Sequence, residues 1–401
     1  MTSFDNLLKH VPVKSVTTPD APTRQNQTNA DAITDIGADS ASVNEANNGA
    51  DKGWSLSDLG FSGHFMSQLD MQELEELTPF RISEIQRSIV VGLGEAGSRS
   101  LRTPHKVPTS AFGVGDWVLV DHTDQIVRRL DPRSELKRRA AGTDVAEQIM
   151  ASNVDVLFII TSCNDDFKLA RIERFLALAR DADVTPVVLI TKVDLCADPE
   201  RYLEPARGLM DGLDVIGLNA RDEGAISLLS PWCAKGKTIA MVGSSGVGKT
   251  TLLNAFTGRQ DATQDIREDD SKGRHTTTYR SLHPTINGAW LVDTPGIRAL
   301  RLHDKSTGIE QVFDDLVELA TDCKFRNCRH ENEPGCAIQA AIEAGELDAA
   351  RLERWRKLEA EDNRNSETVA QSRRKSRSFG KMVKNSIKES NRFKGRDRED
   401  F

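Results

Sequence analysis

Residues 238–257 read TIAMVGSSGVGKTTLLNAFT, and this stretch decides the fold. An apolar run, Thr238 to Val242, is followed by Gly243-Ser244-Ser245-Gly246-Val247-Gly248-Lys249-Thr250, which satisfies G-x-x-x-x-G-K-[ST] without a gap, and then by a helical pattern opening at Thr251. Strand, glycine loop and helix in that order form a phosphate cradle. The glycines let backbone N–H groups converge on an anion, and the helix N-terminus favours its charge. Lys249 is the residue expected at the β/γ-phosphates, with the Thr250 hydroxyl on Mg²⁺. A chance glycine-rich turn would lack the flanking strand and helix.

Working outward, Thr191-Lys192-Val193-Asp194 follows the apolar run VVLI and looks like the [NT]-K-x-D motif of GTPases. There an Asp carboxylate accepts from guanine N1–H and the exocyclic amine, and the Lys stem covers the base. Adenine offers no such pair of donors, so it would leave those acceptors unpaired. Asn219-Ala220, after LDVIGL, fits the loop that closes over the base. Downstream, Asp293-Thr294-Pro295-Gly296 matches D-x-x-G, with Asp293 toward Mg²⁺ and the Gly296 N–H toward the γ-phosphate; Pro-Gly is also an ordinary turn signal. Between them lies Gly273-Arg274-His275-Thr276-Thr277-Thr278, in the interval of a first switch, with Thr277 completing the Mg²⁺ shell.

The order is the informative part. The base motif precedes the phosphate loop, and no [NT]-K-x-D follows Gly296, so the nucleotide domain reads as circularly permuted. Where the template places a Gln to orient the attacking water, Ile297 stands. His275 is the nearest substitute by sequence; a bound partner is the alternative, and a solvated loop histidine the bland one.

From about 145 onward, apolar runs (VDVLFIIT, VTPVVLIT, LDVIGLNA, KTIAMVG, AWLVDTPG) alternate with helical spacing, as at Leu169, Ile172, Phe175, Leu176 and Ala179. That rhythm predicts a parallel α/β sheet over 145–300. Residues 85–142 instead alternate strands with turns, SIVVGL from Ser88 to Leu93, then VGDWVLVD and QIVRRL, predicting a small all-β barrel. Its end carries Arg128, Arg129, Arg133, Lys137, Arg138 and Arg139, readable as a phosphate-binding strip or as a solvated charge run. Residues 51–84 read as a partly helical lead-in. Residues 1–50 are acidic and lack apolar periodicity, as a disordered extension would.

Net charge is −8, yet residues 1–80 hold 4 basic and 12 acidic side chains against 11 and 4 in 371–401. A basic tail over 361–401 points to a polyanionic partner or to a solvated, disordered end. No apolar run of membrane-spanning length occurs, and the start of the chain lacks a secretory signal, which predicts a soluble cytoplasmic protein.

Cys323-x4-Cys328-x-His330-x5-Cys336 supplies three thiolates and an imidazole, a closed tetrahedral Zn²⁺ set with no position left for substrate. A structural zinc module with helices is therefore expected over 301–360, followed by the helical pattern AIQAAIEAGELDAARLERWRKLEA. Lys324, Arg326 and Arg329 would give it a cationic face.

Together these motifs, with V-G-D-W-V in the barrel and N-V-D before the first sheet strand, resemble the ribosome small-subunit-dependent GTPases of the RsgA/YjeQ type over roughly 85–358. The resemblance implies an oligonucleotide-binding (OB) fold barrel, a permuted GTPase domain and a zinc module. It also implies a factor acting late in maturation of the small ribosomal subunit, touching its rRNA, with weak GTP hydrolysis stimulated by the subunit and a part for His275; a monomer is expected. Thr191 stands where many members carry Asn, a departure expected to loosen the loop around Lys192. Two other readings stay open: a nucleotide-gated RNA-binding module in which hydrolysis matters little, and a permuted GTPase serving the large subunit, of which this Cys/His spacing is not expected.

Overall fold

The computed structural model describes residues 53–86, 88–139, 147–258, 280–293 and 307–363, all within the unit Asp51–Phe401. The extension 1–50, the tail beyond 363 and the expected site residues His275, Thr277 and Gly296 lie outside the described residues. Two short helices lead in, α1 (Gly63–Met66) and α2 (Met71–Glu76). Six residues cannot hold a helix by propensity, so α2 depends on its capping box: the Asp70 carboxylate accepts the Glu73 N–H at 2.8 Å and Glu73 accepts the Asp70 N–H at 3.2 Å.

Five antiparallel strands follow: β1 (Thr78–Ile85), β2 (Val90–Gly94), β3 (Gly97–Leu101), β4 (Trp117–Val120) and β5 (Ile126–Arg129). β1 falls mostly inside the stretch read as helical lead-in, whereas the strand expected over Ser88–Leu93 is β2, starting two residues later at Val90. Phe80, Arg81 and Ile82 are all buried in succession, so the period-two signal of a half-exposed strand is absent and a charge interrupts the apolar run.

A ribbon of β6 (Glu135–Arg139) and β7 (Glu147–Ser152) comes next. Four of the six cations read as a phosphate-binding strip or a solvated charge run carry carboxylate partners. Arg128 donates to Glu73, Arg129 to Asp116 and Glu135, Arg133 pairs with Asp155 and Lys137 with Glu135. These charges hold the barrel, its lead-in and the next domain together.

The α/β part contains β8 (Val156–Ser162), α3 (Leu169–Asp181), β9 (Thr185–Thr191), α4 (Glu200–Arg207), β10 (Asp214–Leu218), α5 (Ala225–Leu228), β11 (Thr238–Gly243), α6 (Lys249–Thr257), β12 (Arg280–Pro284) and β13 (Trp290–Asp293). Five strands run parallel in the order β10-β9-β8-β11-β13, where the apolar runs predicted them. All seven residues of central β8 are buried, as a strand covered on both faces requires. β12 was not foreseen. It pairs antiparallel with β13 on one side and with barrel strand β1 on the other, joining both sheets into one of 11 strands.

Arg81 reinforces that seam. It is buried, donating to the Leu59 carbonyl at 2.7 Å and to the Thr238 hydroxyl at 2.5 Å, and burial pulls its pKa down to about 10. The C-terminal part is helical: α7 (Thr307–Val312), α8 (Asp314–Thr321), α9 (Ala337–Glu343) and α10 (residues 349–363). The helical pattern expected after the cysteines is thus cut in two, at Gly345, whose φ of +76° suits a helix C-terminus. Among the described residues no helix is long and apolar enough to cross a membrane.

Arg81→Ala should lower unfolding free energy by about 3 kcal/mol, because it orphans buried acceptors and leaves a cavity at the seam. Denaturant titration checks this, with Arg99→Ala, which breaks an exposed ion pair, expected to stay within about 0.5 kcal/mol of the parent.

Candidate nucleotide-binding site and metal centre

Because β8, β9, β10, β11 and β13 are parallel, their C-terminal ends deliver the motif loops to one edge of the sheet, where open α/β sheets bind ligands. The phosphate loop closes as its glycines dictate. Gly243 has φ +148°, and a Cβ there would sit 2.1 Å from the Ile160 carbonyl oxygen; Gly248, at φ +94°, opens α6. The Lys249 ammonium donates to the Ser244 carbonyl, which holds it across the loop mouth. Thr250 and Thr251 lie in the first turn of α6, Thr250 exposed. Asp293 is exposed at the C-terminal end of β13, directly beside β11.

The upstream motif meets this loop by direct contact. Thr191 is fully buried, and its hydroxyl lies 2.7 Å from the Val247 carbonyl oxygen and 3.1 Å from that of Thr161, both acceptors for its single proton. The expected loosening at Thr191 is therefore corrected: the hydroxyl ties the base motif to the phosphate loop. Lys192 takes a left-handed conformation (φ 62°) that turns the chain out of β9, and Asp194 is presented to solvent on the short turn Val193–Leu195. Asn219 Oδ1 accepts the Arg221 N–H at 3.0 Å and shapes the loop that buries Ala220. A Cβ placed on Gly248 would lie 3.6 Å from Ala220 Cβ and 3.7 Å from Thr191 Oγ1, so all three motifs touch at one point. Ser245, Gly246 and Val247 complete the loop, with Val247 buried beneath it. Sequence reasoning missed Arg171 of α3, whose guanidinium donates to the Ser244 hydroxyl.

The second centre lies in the C-terminal part. Cys323, Cys328, His330 and Cys336 bring one ligand atom each within 4.8 Å of the others. Cys323 Sγ and Cys336 Sγ are 3.9 Å apart, and each is 3.6 Å from His330 Nδ1. Tetrahedral Zn–S bonds of about 2.3 Å and a Zn–N bond of about 2.0 Å put ligand atoms roughly 3.5–3.8 Å apart, so the set fits zinc. Partial burial and the nearby Arg356 hold His330 below its ordinary pKa, which keeps a lone pair available. Its carbonyl accepts from both Gln339 and Arg356, and its ring lies 5.7 Å from that of Trp355, so α9 and α10 fix the ligand's orientation.

The RsgA GTPase family model matches residues 129–303. A protein of Mesorhizobium japonicum titled "Small ribosomal subunit biogenesis GTPase RsgA" is 48% identical over 317 residues, 78% of this chain and 91% of that protein. The chain belongs to the RsgA GTPase family. A Vibrio vulnificus protein titled "Small ribosomal subunit biogenesis GTPase RsgA 2" is 45% identical over 332 residues, 82% of this chain and 95% of its own length. In fold, the chain is similar to the crystal structure of YjeQ from Thermotoga maritima (TM-score 0.54, 23% identity, 71% of this chain and 98% of that one). It is also similar to YloQ, titled a circularly permuted GTPase (TM-score 0.52, 24% identity, 74% of this chain and 98% of that one). An ABC transporter model matches residues 229–387, a span that includes the same phosphate loop. As an RsgA-family GTPase, the chain carries its base motif 56 residues upstream of the loop position it contacts, the permuted arrangement.

Thr191→Val should weaken binding of GDP and GTP about tenfold, or ~1.4 kcal/mol, because it orphans the buried Val247 carbonyl without changing side-chain shape. Titration with a fluorescent guanine nucleotide checks this, and Thr191→Asn should retain most of the affinity.

Proposed function

We propose that this GTPase acts as a late maturation and checkpoint factor of the small ribosomal subunit, with hydrolysis stimulated by the subunit. The observation that carries the reading is the union, in one chain, of a guanine-type motif tied to the phosphate loop and a Cys₃His module. The M. japonicum and V. vulnificus relatives, whose titles name small-subunit biogenesis, support it. A soluble, cytoplasmic monomer suits that role.

In this reading Asp194 accepts from the guanine edge, Lys192 and the Asn219-Ala220 loop cover the base, and Lys249 meets the β/γ-phosphates. Thr250 and Asp293, with Thr277, hold Mg²⁺, which neutralises charge on the phosphate oxygens. Gly296 meets the γ-phosphate and His275 orients the attacking water in place of the missing Gln. The Cys₃His set binds one structural Zn²⁺, which orders the segment. The strands before β6 serve as an OB-fold barrel toward rRNA.

The zinc module offers a face suited to RNA. Lys324, Phe325, Arg326 and Arg329 are all exposed, and the Lys324 ammonium lies 5.6 Å from the Phe325 ring centroid. Among the described residues none of these three cations has a carboxylate partner, unlike those of the barrel strip. An uncommitted positive patch around an exposed ring meets phosphates and bases alike.

GTP turnover should rise markedly with purified small subunits; equal stimulation by large subunits or naked RNA defeats the proposal. His275→Ala should lower the stimulated rate about 100-fold at unchanged GDP affinity. Metal analysis should find one zinc per chain. In that state a thiol reagent should find one fast cysteine, Cys196, because burial pushes Cys233 up to about 12 and Cys163 up to about 11; chelation should raise the number by freeing ligand thiols.

A further inference from the structure

Four charged residues of α3 are engaged in ways that no nucleotide motif accounts for. Arg171, in its first turn, donates from Nη1 to the Asp166 carboxylate at 2.8 Å, to the Asp166 carbonyl at 3.2 Å and to the Ser244 hydroxyl. The acidic anchor is itself fixed, since the Asp166 N–H donates to Asn164 Oδ1 at 3.0 Å and the Ser162 hydroxyl donates to the same atom at 2.9 Å. Ser244 is thus gripped twice, at its hydroxyl by Arg171 and at its carbonyl by Lys249. The next two residues, Ser245 and Gly246, are exposed and carry the loop N–H groups that an anion would meet.

The helix that carries Arg171 is held in one register from its other side. Glu173 is fully buried; both its carboxylate oxygens accept from Arg354 Nε, at 2.8 and 2.9 Å, and Arg351 lies at 3.5 Å. Arg174 pairs with Glu361 at 3.2 Å. Further along, the Gly308 N–H donates to Asp181 at 2.6 Å, and a Cβ on Gly308 would come 2.1 Å from the Ala177 carbonyl, so α7 lies directly on α3. The clamp residues Arg351 and Arg354 share α10 with Trp355 and Arg356, which contact His330.

We infer that Arg171 is a positioning residue for GTP hydrolysis, acting through Ser244 to fix the first half of the phosphate loop, with α3 set in register by the C-terminal helices. The inference rests on the chain being a GTPase. Arg171 does not need to touch nucleotide. Its task is to stop the Ser244-Ser245 backbone from relaxing when charge develops on the phosphates, where a displacement of about 1 Å costs up to about 100-fold in rate. Its ion pair is part-exposed, so removing it should leave the fold intact.

The test is a double-mutant cycle in the full chain with small subunits present. Arg171→Ala should lower kcat about tenfold while KM for GTP and GDP affinity stay within about twofold, and the thermal midpoint should not move. Ser244→Ala should reproduce that loss, and the double variant should lose no more than either single one. Arg171→Lys, whose shorter stem and tetrahedral ammonium do not place a donor where Nη1 meets both Asp166 and Ser244, should recover little. Full rescue by Lys with Ser244→Ala silent would overturn the inference in favour of a through-space charge, and additive losses or an unaffected Arg171→Ala would overturn it outright. A parent chain with no GTP turnover at all would instead defeat the function on which it rests.

Discussion

The nucleotide site depends on one buried hydroxyl. Permutation places base recognition upstream of phosphate binding, so no short covalent connection fixes their separation; a non-local contact must. Thr191 supplies it, with Oγ1 2.7 Å from the Val247 carbonyl oxygen and its methyl side near Gly248. A β-branched residue at the end of a strand has a stiff χ1, and full burial removes water as a competitor, so a single O–H suffices. The strands beneath restrict the alternatives further. β8 lies between β9 and β11 with continuous parallel register on both sides, and a one-residue slip would turn buried Val, Leu and Ile positions of β9 to the wrong face.

The same permutation determines what lies next to each switch. The first-switch sequence leads straight into β12, whose outer neighbour is barrel strand β1, paired at Glu84↔Ser281 and Ile85↔Arg280. The D-x-x-G strand β13 leads toward α7 and the Cys₃His module. The two strands beside these motifs, β12 and β13, are therefore tied to a flanking module by backbone hydrogen bonds or by chain continuity. A sheet edge that would otherwise be open is covered by the barrel, and Arg81 locks that junction to the first residue of the phosphate-loop strand, Thr238.

Motifs governed by local rules were legible in the sequence. Gly243, Gly248 and Lys249 could be read because positive φ and helix N-termini constrain residue type at fixed spacing, and the Cys/His set because a tetrahedron needs four ligands. Buried strands showed as apolar runs. What could not be read depends on partners distant in the chain. β1 was hidden because Arg81, a charge, occupies a position buried by contacts to Leu59 and Thr238. The barrel cations looked free because Glu73, Asp116 and Asp155 approach them only in the fold. Thr191 looked like a weaker Asn because its acceptor lies 56 residues away, and Arg171 gave no signal because Ser244 lies 73 away.

The buried Glu173 cluster shows why such distant pairs are retained. Burial raises the proton affinity of this carboxylate, and Arg354 and Arg351 pull it back, so the net stabilisation from the trio is small compared with an apolar equivalent. Its value is geometric. Apolar contacts such as those of Leu352 and Leu358 would tolerate sliding of α10 along α3, whereas a dry carboxylate that must meet two guanidinium groups admits one register. That register fixes α3 for Arg171 at one end and places Trp355 and Arg356 against His330 at the other. The Cys₃His cluster and the phosphate loop thereby each contact one member of an interlocked pair of helices, the first through Trp355 and Arg356 of α10 and the second through Arg171 of α3.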